Sequence, residues 1–169
     1  KDWVDEIIIV DTGSEDRTVE IAESYGARVF HQPWEGNFSK HRNHSIELAS
    51  CDWIFIIDAD ERFEVDGLAD VRRTLKNPNI SIISINVFNV YGQKSEVTTF
   101  LPSVRFWRRR LHLCYEGIVH NVLKLGNNPV YRLGARIRHL GYDLSPAKMK
   151  AKHERTRGLQ PGSEGTVHL

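Results

Sequence analysis

The apolar positions of the chain change rhythm about halfway along it. Ile7-Ile8-Ile9-Val10 is an unbroken β-branched run, the pattern of a strand buried on both faces beneath flanking helices. Ser14, Glu15 and Asp16 follow with an N-cap and an acidic first turn, Val19, Ala22 and Tyr25 recur at helical spacing, and Gly26 supplies a stop. Arg28-Val29-Phe30 reads as a short second strand, Ser39 to Ser50 as a second helix and Trp53-Ile54-Phe55-Ile56-Ile57 as the next strand; Val65, Leu68, Val71 and Leu75 then return to helical periodicity. Alternating strands and helices predict a mainly parallel sheet covered on both sides, because parallel neighbours need a crossover and the crossover is usually a helix. From Ile80 to Val90 the pattern turns β-rich, with Ile82, Ile85 and Val87 interleaved with Ser84, Asn86 and Asn89. Val104-Arg105-Phe106-Trp107 and Val119 to Leu123 are further short strands. The expected class is α/β, with a sheet that finishes in antiparallel or mixed strands.

At 169 residues the chain has the length of one compact domain with its own hydrophobic core. Lys+Arg 23 against Asp+Glu 22 gives a formal net charge of +1, too weak a field to mark nucleic acid as the partner. Cys51 and Cys114 lack metal-binding spacing, and Cys51 precedes an apolar strand where a buried thiol is ordinary, so a reducing, cytoplasmic setting is expected. The longest apolar runs fall well short of the roughly 20 residues that span a bilayer. The opening at Lys1-Asp2-Trp3 reads as cut at the front, and Gly158 to Leu169 reads as a linker, tail or truncation scar.

Acidic residues follow the two most hydrophobic strands directly: Asp11 after Ile7 to Val10, and Asp58 with Asp60 after Trp53 to Ile57. Open α/β sheets bind ligands outside the carboxyl ends of their strands, so these carboxylates are expected to share one mouth. Asp58-Ala59-Asp60 sets two carboxylates two residues apart, a spacing from which both can approach one hard cation. Mg²⁺ or Mn²⁺ so held takes its remaining ligands from phosphates and water. The bland alternative is that either aspartate caps the following helix; the preceding strand and the matching Asp11 favour the cation. Asp11-Thr12-Gly13-Ser14-Glu15-Asp16 has one glycine and no lysine, which excludes a P-loop or dinucleotide fingerprint. Lys40 and Arg42 are then the candidate phosphate cations, unless they are solvated helix charges.

Val10-Asp11-Thr12-Gly13-Ser14-Glu15-Asp16-Arg17-Thr18, Ser39-Lys40-His41-Arg42-Asn43 and Ile57-Asp58-Ala59-Asp60-Glu61 resemble, in order and spacing, three motifs of the family 2 glycosyltransferases. The resemblance covers roughly residues 4–143. Its nearest flavour is a bacterial branch with Gly-x-Val-His, here 117–120, and His-x-Gly-Tyr, here 139–142, often followed by tetratricopeptide helices. It implies a GT-A fold: a Rossmann-like three-layer sandwich with a mixed, mainly parallel sheet, whose first strand, ending in an Asn-Glu pair, would precede Lys1. The catalytic domain would run over 1–145, and a helix and tail over 146–169.

By the same resemblance the loop of Asp11, Gly13 and Ser14 contacts the nucleotide, with Asp11 at the base. Lys40, Arg42 and Asn43 belong to the donor-binding set, with Arg42 near the diphosphate; Asp58 and Asp60 lie at the metal and ribose, with Asp60 the direct metal ligand, and His139 is a further metal or diphosphate ligand. A satisfied loop histidine is the alternative for His139, and a structural role for His120. The family often has His-Glu where this chain has His120-Asn121, which leaves Glu116 as the substitute for the base, beside His120.

The implied reaction is inverting, metal-assisted transfer from a nucleotide sugar, with a lean towards uridine, to a saccharide, lipid-linked or protein acceptor in cell-envelope or polysaccharide synthesis. A haloacid-dehalogenase-like phosphatase would also place Asp-x-Asp after a strand, but it needs Thr or Val where Arg62 stands. A binding module without turnover is the other rival. The Phe106-Trp107-Arg108-Arg109-Arg110 run has an exposed look and could lie against anionic lipid at the inner face of the membrane.

Overall fold

In a computed structural model of the protein, residues 2–91, 96–118 and 120–142 are described. Val119 and the expected C-terminal helix and tail over 146–169 lie outside them. The described chain forms two compact units. One contains the N-terminal stretch through Asp52 together with His112–Lys124; the other contains Trp53–Leu111 and the chain from Leu125.

In the first unit β1 (Ile8–Asp11) and β2 (Arg28–His31) pair in parallel, and α1 (Thr18–Ser24) is the crossover between them. Among the described residues this sheet has two strands. Ile8 to Val10 are accordingly half-buried, and the expected burial on both faces is not realised in this unit. The start of α1 also differs from the sequence reading: its N-cap is Arg17, without a side-chain cap bond, Asp16 Oδ1 accepts the Thr18 amide at 2.9 Å from just outside it, and Ser14 turns back to Asp11. The second helix, α2 (Phe38–Leu48), starts one residue before the expected Ser39 and is capped by Asn37, whose side chain accepts the Lys40 amide. A short hairpin of β7 (Tyr115–Glu116) and β8 (Val122–Leu123) lies against α2.

The second unit is built on a five-stranded mixed sheet in the order β3, β6, β5, β9, β4. These strands are β3 (Trp53–Phe55), β4 (Glu61–Phe63), β5 (Ile82–Tyr91), β6 (Glu96–Arg108) and β9 (Tyr131–Tyr142). Only β5 and β9 run parallel; the other pairings in this sheet are antiparallel. The helix α3 (Leu68–Leu75) buries Val71, while Val65 falls in a preceding 3-10 turn and is exposed. Among the described residues, the large side chains buried to below 2 % exposure all belong to this unit: Trp107, Phe106, Ile82, Ile83, Ile85, Ile137, Val71 and Val90. Phe55 stacks on Phe106 with centroids 4.3 Å apart. The aromatic half of the Phe106–Arg110 run is thus core rather than surface. Arg108 is also engaged, over the Trp53 ring at 4.6 Å and donating to the Ile80 and Asn77 carbonyls. Arg109 and Arg110 remain exposed.

Candidate functional site

Asp11 ends β1 in the first unit and is buried. Its carboxylate accepts the Gly13 amide at 3.2 Å and the Ser14 amide at 3.2 Å, and it meets His31 Nδ1 at 3.3 Å. Gly13 makes this possible with φ +117, a backbone conformation that side chains rarely adopt. The Ser14 hydroxyl, foremost, and then the two amides hold the Asp11 carboxyl below the usual aspartate range, against the opposing effect of burial. The loop is therefore folded onto its own fixed negative charge. His31 is missing from the sequence reading; its clue is positional, since parallel pairing sets His31 directly beside Asp11.

The Ser39–Asn43 motif serves mainly to fasten the β7–β8 hairpin. Ser39 Oγ donates to the Gly117 carbonyl at 2.5 Å. Asn43 clamps Tyr115 from both sides, donating to its carbonyl at 2.9 Å and accepting its amide at 2.7 Å. The Arg42 guanidinium lies over the Tyr115 ring, 5.3 Å from its centroid. Lys40 forms a surface ion pair with Glu35. His41 is buried, stacked on Trp34 with centroids 5.1 Å apart, and its Nδ1 lies 3.1 Å from Gln32 Oε1. Burial pushes the His41 imidazole below its ordinary value. In the hairpin Gly117 has φ +96, and a Cβ there would stand 2.8 Å from the His120 carbonyl oxygen, so the turn between Glu116 and His120 requires glycine. Glu116 and His120 are both exposed at this end, and Glu116 is ion-paired with Lys124 at 3.0 Å.

The second unit carries the remaining candidates. The chain leaves β3, passes Asp58 and Asp60 in a turn, and enters β4 at Glu61. Asp58 and Asp60 are both half-buried. Antiparallel pairing of β4 with β9 sets Glu61 opposite His139, and Leu140 donates its amide to the Asp60 carbonyl at 2.8 Å. His139 therefore stands on a strand, not in a loop, with Nε2 3.2 Å from Asp60 Oδ2 and Nδ1 2.8 Å from Asn89 Oδ1. Asp60 and His139, far apart in sequence, are brought together here. Among the described residues, however, no group of three or more His, Cys, Asp or Glu side chains is arranged to hold a metal ion.

Glu61, Arg105 and Asn89 were not singled out by sequence reasoning. Glu61 and Arg105 form a buried ion pair at 2.5 Å, and the other Glu61 oxygen accepts the Asp58 amide at 2.9 Å. An arginine inside the apolar Val104-Arg105-Phe106-Trp107 run was the available signal, because a charge on a buried strand needs a partner.

A family model for glycosyl transferase family 2 matches residues 2–124, and the chain belongs to that family. A TPR repeat-containing protein of Synechococcus elongatus is 33 % identical over 93 % of this chain and 41 % of the relative. The SPbeta prophage-derived glycosyltransferase SunS of Bacillus subtilis is 28 % identical over 94 % of this chain and 39 % of the relative. The chain thus spans about two-fifths of these curated relatives. Among solved structures, S. aureus TarS superposes with TM-score 0.57 at 14 % identity over 90 % of this chain and 33 % of that one. TarS residues 1–349 in complex with UDP-GlcNAc gives 0.53 at 14 % identity over 95 % and 59 %. These likenesses show the GT-A fold. No helix among the described residues is long and apolar enough to cross a membrane.

Proposed function

We propose that the chain carries the donor-binding and catalytic part of a glycosyltransferase that moves a sugar from a UDP-sugar to an acceptor hydroxyl with inversion. The carrying observation is the Asp60–His139 pair, held by β4 and β9 in a chain of family 2. His139 meets Asn89 Oδ1 through Nδ1 and the Asp60 carboxylate through Nε2. Carboxylate oxygen and imidazole nitrogen form a donor set that fits Mn²⁺ or Mg²⁺ when a diphosphate and water complete the shell. Two protein ligands suffice for such an ion, so the lack of a three-residue cluster does not count against it.

Bound there, the cation supplies Lewis-acid stabilisation of the departing diphosphate, worth several kcal/mol. Asp58 sits in the same turn, towards the ribose. The Asp11-Gly13-Ser14 loop positions the base, and Lys40, Arg42 and Asn43 serve the diphosphate. Glu116 is the candidate base for the acceptor hydroxyl, beside His120. The bound UDP-GlcNAc of the TarS neighbour supports the donor class. A saccharide, lipid-linked or protein acceptor in cell-envelope or polysaccharide synthesis completes the proposal. The enzyme is placed in the cytoplasm, with exposed Arg109 and Arg110 offering contact to the membrane's inner face.

In the full-length protein, Asp60→Ala is expected to abolish Mn²⁺-dependent nucleotide binding measured by calorimetry; binding at the parent level would overturn the metal assignment. Asn121 in the place of the family's glutamate favours a second reading, donor binding without turnover. Product release from a nucleotide-sugar panel would exclude that second reading.

A further inference from the structure

We infer that Glu61 and Arg105 are positioning residues for the cation site, fixing the Asp58–Asp60 turn from beneath; this rests on the metal reading above. Glu61 is 4 % exposed and Arg105 8 %, and both Glu61 oxygens are already engaged within the protein. The Glu61 carboxylate divides its oxygens. Oε1 accepts Arg105 Nη2 at 2.5 Å, and Oε2 accepts the Asp58 amide at 2.9 Å. A second bond, from the Glu61 amide to the Asp58 carbonyl at 3.0 Å, closes the turn. The residues between the two anchored ends are Ala59 and Asp60.

The same anchor reaches the imidazole. Glu61 is the first residue of β4 and pairs with His139 in register on β9. Leu140 bonds to the Asp60 carbonyl one residue earlier. Whatever holds Glu61 therefore holds the backbone on which both Asp60 and His139 stand. Arg105 comes from β6, two strands away from β9 in the sheet order, and its own backbone carbonyl accepts the Ile56 amide at 3.0 Å. The pair ties the exit of β3 and the entry of β4 to the sheet's interior. A buried ion pair is often replaceable by apolar residues at no cost in stability, so stability alone does not account for a pair at this position. Arg105 Nε has no hydrogen-bond partner among the described residues. Groups that orient ligands in this indirect way typically change metal affinity 10–100-fold when removed.

Two double variants of the full-length protein separate positioning from structural support. Glu61→Gln with Arg105→Met removes the ion pair but keeps an oxygen that can accept the Asp58 amide. Glu61→Leu with Arg105→Met removes both, and Glu61→Met with Arg105→Leu is a second apolar pair should the first not fold. Thermal melts establish that each is folded, and calorimetry with Mn²⁺ and UDP, with Asp60→Ala as control, reads the affinity. The expected result is affinity about 10–100-fold weaker in the folded apolar pair and within about threefold of the parent in the Gln variant. A folded apolar pair that binds like the parent, beside an Asp60→Ala control that does not bind, overturns the positioning role alone. An Asp60→Ala control that binds normally overturns the metal reading beneath it.

Discussion

At the scale of single residues, several of the chain's motif polar groups hold its own backbone, and Asp11 shows why that matters. Its carboxylate is committed to the Gly13 and Ser14 amides and to His31, so it shapes the loop as well as charging it. Because these hydrogen bonds lower its folded pKa, native Asp11 binds fewer protons than the unfolded chain at acid pH. The stability it contributes is complete above the ordinary aspartate value of 3.8 and is lost as pH falls through the lower, folded value. Asp11→Asn should therefore flatten the acid limb of the stability curve below about pH 4, as read by urea melts at successive pH values. At neutral pH it should cost roughly 1–3 kcal/mol, because an amide is a weaker acceptor and must turn one donor towards the loop. An acid limb that stays as steep in the variant would show that another carboxylate sets it.

Secondary-structure elements bring these residues together, and the Asn43 clamp is the clearest case. One side chain on α2 satisfies both the amide and the carbonyl of Tyr115, fixing the hairpin that carries Glu116 and His120. Asn43→Ala leaves both groups without their partner. About 1–3 kcal/mol of destabilisation is expected, together with faster amide exchange at Leu123, which pairs with Tyr115; exchange unchanged there would assign the anchoring to Ser39 instead.

The elements that were legible are those with a strong local period: β1, α1, β2, α2, β3 and α3 lie where the apolar rhythm placed them, within a residue or two at most ends. The short strands β4 and β7 carry too few residues for any period. The twelve-residue β9 was missed for a different reason: Tyr131-Arg132-Leu133-Gly134-Ala135-Arg136-Ile137-Arg138 alternates, but with small residues and arginines that read as loop. Its burial comes from β5 and β4 on either side, which is tertiary information. The same holds for the site. Asp11, Asp58 and Asp60 could be seen because they follow apolar strands. That His139 meets Asp60, and that Arg105 meets Glu61, depends on strand order in a sheet that local sequence does not encode.

Over the whole chain, cohesion is unevenly distributed. Among the described residues, every large side chain buried to below 2 % exposure lies in the second unit, around β5, β6, β9 and α3. The first unit contributes Ala22, Leu113 and Tyr115 to the core, and its Ile8-Ile9-Val10 strand is only half-buried. Local opening free energy follows buried apolar contact, rising from near zero in poorly covered segments to the global value in core strands. Native-state amide exchange should therefore be slowest in Ile82–Val90 and markedly faster in Ile8–Asp11, although both are hydrogen-bonded strands. Trp107→Ala, which empties the largest fully buried position, is expected to cost about 3–5 kcal/mol and to accelerate exchange throughout the five-stranded sheet. Equal protection of β1 and β5 in the parent would mean that apolar cover from elsewhere in the full-length protein closes over the first unit. The experiment is therefore best run on that protein, where the loop of Asp11 is expected to do its work.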